Sequence, residues 1–400
     1  MRAALILKSC ATPFVMRPAV DILSRAERRR SFARRALRSV VARTAWPHFC
    51  AGETLDDCVR VANRMKECNV SLIVDHSVEE RERPEDWVVN LRRKKELLRR
   101  CADTLGSAAR FVPVKVTALA SPRLLEDISE ILSSQDDTWD VERDVEDQLD
   151  NANRELLGSA LENLRELCEE ARSIPNMSLA LDAEQSHRQP ALDYLANRTM
   201  SVANAGDDAR TILYNTVQCY ALGANRRLRR DVARAEREGY RYGVKLVRGA
   251  YLEAERQRSA ELGTSFPLHS TKTEVDAAYD RAATALLNDV RTHSGRVSVL
   301  IATHNSASVS NAKHAMRELE LSNAHPSVHF ATIMGMSDHL TIGLGLEGYN
   351  ALKLVLFGDF DEIYPWLIRR LEENREIFGG AHDEYELIME ELYVRLRGRS

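Results

Sequence analysis

Eight short segments rich in valine, isoleucine and leucine recur along the chain, and each is followed by a helical or polar stretch. They are residues 71–75, 112–117, 178–182, 211–216, 243–247, 297–303, 328–331 and 351–356. Parallel strands need long crossover connections, usually helices, so this alternation predicts a parallel sheet. Eight such units predict a closed α/β structure, a (βα)8 TIM-like barrel. An open dinucleotide-binding sheet is less favoured, because no GxGxxG sequence follows the first strand.

Helical spacing of apolar residues predicts the connecting helices and the outer segments of the chain. The predicted helices cover residues 83–105, 151–173, 222–238, 275–292 and, as the last long helix, 360–378. We expect residues 1–60 to form a basic N-terminal helical arm and residues 61–400 to form the barrel. Residues 133–150 form an acidic insertion, predicted as a solvated loop or helix start, since its Asp spacing does not match a calcium-binding loop.

Charge is distributed unevenly between this arm and the rest of the chain. Residues 1–43 carry eleven Lys and Arg against Asp21 and Glu27, whereas the whole 400-residue chain has a net charge of −4. Such an arm is typical of an organelle-targeting segment, an anchor to an anionic membrane surface or a solvated helix face. The acidic remainder argues against nucleic-acid binding. No run of 18 apolar residues occurs, so no membrane-spanning helix is expected.

The cysteine and histidine patterns predict no metal site. The seven cysteines are scattered without a CxxC pair, which disfavours a disulfide framework or a zinc-thiolate centre. A metal-dependent barrel hydrolase would need a ligand cluster such as HxH, and Asp75, His76, His187 and His304 do not form one in the sequence.

Polar residues follow the predicted strands at their carboxyl ends, where barrels of this kind carry their active sites. They are Lys115, Thr117, Asp182, Glu184, Asn215, Gln218, Lys245, residues 248–251 and residues 303–305. The cationic groups indicate an anionic ligand such as a phosphate or a carboxylate. Structural roles remain open: Asp182 as the partner of a buried lysine, Asn305 as a helix N-cap and His304 as a core histidine.

The last predicted helix carries Arg369 and Arg370, with Glu373 four residues after the first arginine. This spacing allows an ordinary intrahelical ion pair. The neighbouring Trp366 and two aliphatic residues make the local surface apolar, so the arginines could instead clamp a carboxylate bidentately.

Seven motifs with polar strand ends resemble, in order, those of the flavin-dependent proline dehydrogenase family. They are VKVTAL (114–119), LDAEQ (181–185), YNTVQCY (214–220), VKLVRGAY (244–251), ATHN (302–305), GMSD (335–338) and WLIRRLEEN (366–374). FCAGET (49–54) is similar to eukaryotic mitochondrial members, particularly those of the plant type.

The resemblance implies a distorted barrel whose final helix closes the mouth, with FAD at the carboxyl strand ends and L-proline against the flavin. It assigns catalytic roles to Asp182 and Lys245, the latter near the flavin N1–C2 edge. The implied substrate-binding residues are Lys115, Tyr251, Leu354, Trp366, Arg369, Arg370 and Glu373. The implied cofactor-binding residues are Gln218, Lys245, Arg248, Gly249, Ala250, Thr303, His304 and Asn305.

The resemblance further implies oxidation of L-proline to Δ1-pyrroline-5-carboxylate, electron transfer to a quinone, and a mitochondrial location in the matrix or at the inner membrane, with peripheral membrane contact. Two departures concern substrate choice, because family members usually have tyrosine at the positions of Leu354 and Trp366. Oxidation of hydroxyproline or another cyclic amino acid, and a non-catalytic flavin-binding homologue, are therefore the alternatives.

Overall fold

A closed barrel of eight parallel strands forms the centre of the computed structural model, which describes residues 39, 41–43, 46–76, 83–133, 145–206, 210–293, 295–364, 389 and 393. The barrel strands are β2 (Val70–Asp75), β3 (Ala109–Val114), β4 (Ser178–Leu181), β5 (Leu213–Gln218), β6 (Tyr242–Val247), β7 (Val297–Ala302), β8 (Val328–Ile333) and β9 (Ala351–Phe357). They pair in chain order, and β9 closes the barrel against β2. A short strand, β1 (Cys50–Gly52), pairs with the carboxyl end of β9.

Helices surround the barrel, and most connect one strand with the next. They are α1 (Trp46–Phe49), α2 (Leu55–Lys66), α3 (Pro84–Leu105), α4 (Pro122–Ser133), α5 (Val145–Gln148), α6 (Asn151–Ser173), α7 (Gln189–Ala203), α8 (Ala224–Glu238), α9 (Leu252–Leu262), α10 (Lys272–Thr292), α11 (Ser306–Glu318) and α12 (Asp338–Leu346). Several begin at side-chain caps: Asp150 accepts from the Asn153 amide at 2.7 Å, and Thr271 forms a capping box with Glu274.

Side chains on alternate strand positions divide between two apolar layers. Those of Phe111, Tyr214, Leu300, Leu352 and three further residues fill the barrel interior. The intervening positions pack against the helices in one large continuous cluster. This period-two alternation fixes which strand residues can reach the barrel mouth and which face the helices.

The predicted (βα)8 barrel is confirmed, with all eight predicted strands present. Strand β3 begins three residues earlier than predicted; the prediction started too late because the polar Arg110 is the second residue of the strand. Lys115 follows the strand rather than lying in it. The predicted boundary at residue 60 falls inside α2, and the domain division stays a prediction.

Parts of three predictions lie outside the described residues. Most of the N-terminal arm and residues 134–144 of the acidic insertion are outside, although residues 145–148 form α5. Residues 360–364 are helical as predicted, while the rest of the predicted last helix is not described. Within the described part of the chain, no helix is both long and apolar enough to cross a lipid bilayer.

Candidate functional site

An ion pair between β6 and the end of β4 lies at the carboxyl rim of the barrel. The Lys245 ammonium donates to Asp182 Oδ1 at 2.6 Å. The two side chains are 16% and 26% exposed, so the pair is largely withdrawn from water. This contact confirms the structural role that the sequence left open for Asp182, that of partner to a buried lysine. Because both side chains keep some exposure, the pair also presents charge to whatever occupies the mouth.

A cavity beside this pair contains two further lysines and a second carboxylate. Lys115, Asp182, Asp75 and Lys94 line it together. The Lys94 ammonium donates to the Pro113 carbonyl at 3.0 Å and lies 3.8 Å from Asp75 Oδ1. Burial raises the pKa of Asp75, and the positive charge of Lys94 opposes that rise. The positive charges of the lysines therefore offset the negative charges of Asp75 at the end of β2 and of Asp182 after β4.

Glu184 is buried beneath the carboxyl end of the barrel and contacts several of the predicted residues. Its side chain accepts from the Thr117 hydroxyl at 3.0 Å and from the Tyr251 hydroxyl at 3.3 Å, and the residue is 7% exposed. The Gln218 amide donates to the Glu184 carbonyl at 2.8 Å. Burial raises the pKa of Glu184, while Lys115 lowers it. Sequence reasoning placed Glu184 at a strand end without giving it a role.

The turn after β6 brings backbone, rather than a side chain, to the rim. Gly249 has a φ of +144°, and a Cβ added there would lie 2.4 Å from the Tyr220 ring. Glycine is thus required by both conformation and space. The Ala250 amide points towards Gln218 Oε1 at 3.4 Å. The Tyr220 ring therefore packs directly against the backbone of this turn at the rim.

Arg248 holds the β6 and β7 ends to the surrounding helices. Its Nε donates to Asp276 at 2.8 Å, and its terminal nitrogens donate to Thr303 at 2.6 Å and Ser308 at 2.8 Å. The guanidinium also stacks 4.4 Å from the centre of the Tyr279 ring. These three bonds leave one N–H on each terminal nitrogen for another acceptor, such as a cofactor oxygen.

The ATHN segment completes this side of the rim. Asn305 caps α11 by accepting from the Ser308 amide at 3.1 Å, which confirms the capping alternative. The Asn305 amide donates to Thr303 Oγ1 at 3.1 Å, and the His304 carbonyl accepts from Ser337 at 3.4 Å. Thr303, His304 and Asn305 therefore form a tight turn that exposes the start of α11, a position suited to negative charge.

Leu354 and Lys353 are neighbours on β9 but face opposite layers. Leu354 packs with the barrel-interior cluster. Lys353 is 1% exposed and donates to the Thr332 hydroxyl on β8 at 2.6 Å, and its ammonium lies 2.5 Å from Asp338 Oδ1 at the start of α12. Burial raises the pKa of Asp338, but the charge and hydrogen bond of Lys353, together with the charges of His48 and Arg64, outweigh it and lower the pKa. The GMSD turn is thus attached to the strand that carries Leu354.

The structure brings most of the predicted residues to one end of the barrel. Lys115, Asp182, Gln218, Lys245 and residues 248–251 and 303–305 follow or end neighbouring strands. Trp366, Arg369, Arg370 and Glu373 lie outside the described residues. The sequence did not predict a role at the site for Asp276 or Asp75. Their partners, Arg248 and Lys94, lie on other elements of the fold, so no local pattern indicates these contacts. Among the described residues, no three His, Cys, Asp or Glu side chains form a group able to hold a metal ion.

Residues 58–382 match the family model described as proline dehydrogenase. Over its full length the chain is 29% identical to hydroxyproline dehydrogenase of Rattus norvegicus, 91% of which is covered. It is 31% identical to mitochondrial proline dehydrogenase 1 of Arabidopsis thaliana, over 92% of this chain and 77% of that one. The crystal structure of proline utilization A from Bdellovibrio bacteriovorus matches 86% of the chain with a TM-score of 0.71 and 19% identity. The chain spans about a third of that protein's length, and the match concerns the fold.

Proposed function

The chain belongs to the proline dehydrogenase family and is an oxidoreductase, and from that premise we propose that it oxidises L-proline to Δ1-pyrroline-5-carboxylate with FAD as cofactor. The observation that carries the proposal is the group of charged side chains at the carboxyl rim, where Lys245 and Asp182 lie 2.6 Å apart beside Lys115. Lysines fixed at the barrel mouth could contact a small substrate whose strongest recognition group is a carboxylate, with the net positive charge supplied by the arginines of the last helix.

The residues at the rim fit FAD. The turn at Gly249, which its φ and the Tyr220 ring hold in place, would present backbone to the cofactor, and the start of α11 at Asn305 suits a phosphate. Bound FAD would supply a two-electron acceptor for the hydride that leaves C5 of the substrate. Lys245 would present positive charge where negative charge develops during that transfer, and Asp182 would hold the ammonium in place.

We assign recognition of the substrate to the closing helix and to the second barrel strand end. Arg369, Arg370 and Lys115 would bind the carboxylate, and Glu373 would orient the arginines. Tyr251, whose hydroxyl bonds Glu184, would pack over the ring. Three cations on one carboxylate would fix the ring carbon relative to the acceptor, which lowers the barrier mainly through positioning.

A second candidate substrate is 4-hydroxyproline. Hydroxyproline dehydrogenases of rat and cattle match the whole chain at 29% identity. Leu354, which faces the barrel interior, stands where proline-oxidising relatives usually carry tyrosine, and together with Trp366 it alters the expected ring contacts. We therefore expect a shifted preference among cyclic amino acids.

The electron acceptor and the location are proposed on the same premise. A membrane quinone would take the electrons, and the basic N-terminal arm would serve as a mitochondrial targeting segment or as contact with the inner membrane. Plant and human relatives are named mitochondrial proline dehydrogenases, which supports a mitochondrial location.

The decisive experiment is an absorbance spectrum of the purified protein before and after anaerobic addition of substrate. We expect a flavin spectrum that bleaches with L-proline, 4-hydroxyproline or both. Steady-state kinetics with proline, 4-hydroxyproline and pipecolate would then rank the substrates. A flavin spectrum that none of the three bleaches would favour a non-catalytic flavin-binding homologue, and efficient turnover of proline alone would contradict the shifted preference.

A further inference from the structure

A pocket opens at the amino-terminal end of the barrel, opposite the catalytic rim. It is lined by Ser71, Arg110, His329 and Asn350, together with Asn69 and residues 348–349 and 351–352. Ser71, Arg110 and His329 are each the second residue of a strand, and Asn350 immediately precedes β9. All four therefore lie where the strands begin, a full strand length away from Lys245 and Asp182 at the other end.

The pocket holds a cation, Arg110. Among the described residues that line it, none is Asp or Glu. Burial lowers the pKa of the Arg110 guanidinium, and the other titratable group that bears on it is the buried Tyr214 phenol. Over the described ranges no hydrogen bond or ion pair joins Arg110 to a protein acceptor, whereas the buried Lys353 is paired with Asp338. The N–H groups of this half-buried guanidinium are therefore available to an anion that enters the pocket.

The histidine in the pocket cannot neutralise this charge and does not add to it. His329 is 5% exposed, and burial, aided by the nearby Arg110 charge, lowers its pKa to about 3. His325 contributes in the same direction. The imidazole is therefore neutral at physiological pH. The groups that face the pocket from β2, β3, β8 and the β9 start are thus a hydroxyl, a guanidinium, a neutral imidazole and an amide.

We propose that this pocket is a binding site for a small oxyanion, with Arg110 as its principal ligand. A guanidinium offers parallel N–H groups that match two oxygens of a phosphate or carboxylate. The Ser71 hydroxyl supplies a further donor, and the absence of lining carboxylates removes the repulsion that would otherwise oppose an anion. The site is separate from the proposed substrate and cofactor positions, so its occupancy does not depend on the proposed reaction.

The test is a titration of the full-length protein with inorganic phosphate at constant ionic strength. Calorimetry measures the binding, and NMR of ¹³C-labelled histidines reports on His329. We expect saturable binding in the wild type and a shift of the His329 resonance, assigned with His329→Gln. Acetate tests whether a carboxylate binds as well, and chloride serves as the spherical-anion control. Binding of either oxyanion with a His329 shift supports the site, whereas no His329 shift with either, or an equal response to chloride, overturns it.

Arg110→Gln should weaken phosphate binding by about tenfold or more, the loss expected for a bidentate charged contact. Arg123→Gln is the matched control, because it removes one positive charge from an exposed position on α4. Equal affinity in Arg110→Gln and wild type would overturn the assignment. If Arg110→Gln does not fold, the wild-type His329 titration decides the matter alone.

Discussion

Replacing Lys245 with methionine tests whether the rim ion pair is a buried, interacting unit. Methionine keeps most of the side-chain volume but leaves the Asp182 carboxylate without the ammonium 2.6 Å away. Removing one partner of a fully buried pair costs about 3–5 kcal/mol. Asp182 retains 26% exposure and lies beside Lys115 in the cavity, so we expect about 2 kcal/mol of lost unfolding free energy.

A double-mutant cycle with Asp182→Asn, measured by urea unfolding at pH 7, separates the pairwise interaction from the two single effects. We expect a coupling free energy of about 1–2 kcal/mol. The pair Arg256–Glu253 on α9 is the exposed control, because its N–O distance is also 2.6 Å but its side chains are 58% and 73% exposed. The control cycle should give about 0.5 kcal/mol or less. Equal coupling in the two cycles would refute the argument that burial strengthens the rim pair.

Catalysis provides an independent readout of the same substitution. If Lys245 stabilises charge that develops during hydride transfer, Lys245→Met should lower kcat by about a hundredfold, as loss of one electrostatic contact to a transition state typically does. KM should change much less, because the carboxylate is assigned to other cations. A large rise in KM with unchanged kcat would move Lys245 from the catalytic to the substrate-binding group.

Three further substitutions test separate parts of the molecule. Gly249→Ala should destabilise the protein by about 2 kcal/mol and weaken flavin retention, because its Cβ would lie 2.4 Å from the Tyr220 ring; thermal unfolding measures this, and a neutral result contradicts it. Leu354→Tyr should raise the proline-to-hydroxyproline ratio of kcat/KM by about tenfold, and an unchanged ratio would rule out a role in ring recognition. Lys353→Met should cost about 2 kcal/mol at pH 7, since it removes the ammonium 2.5 Å from the Asp338 carboxylate, whose side chain is 34% exposed. Because the folded pKa of Asp338 is lowered, the stabilisation is complete above the unfolded value of 3.8 and is lost as the pH falls through the folded value, so the urea midpoints of variant and wild type should converge in acid.

Periodicity was sufficient to predict the barrel because buried parallel strands are continuous apolar runs separated by helices. It failed where a strand was short or polar. β1 has three residues, Cys50–Gly52, and is defined only by its pairing with β9. The start of β3 was placed too late because Arg110 interrupts its apolar character.

The candidate site was predictable as a set of strand ends but not as a set of contacts. Arg248 is an example: its acceptors come from α10, from the end of β7 and from α11, up to 60 residues away. No local pattern specifies such partners. Strand alternation could have shown that Lys353 faces the helices while Leu354 faces the interior, because the two are adjacent on β9.

The charge at the rim explains why the closing helix matters for the proposed chemistry. The part of the rim around the cavity contains three carboxylates, Asp75, Asp182 and Glu184, and three lysines, which line the same cavity or act on these acids. The neighbouring Arg248–Asp276 pair adds one charge of each sign. Taken as fully ionised, these groups cancel, so this part of the mouth offers an anion little net attraction. The arginine pair at 369–370 would add two positive charges and Glu373 would remove one. The completed site would then have one excess positive charge, which a single substrate carboxylate neutralises. Recognition of the substrate would therefore depend on the last helix, whereas the strand ends would supply a rigid, electrically balanced platform beneath it.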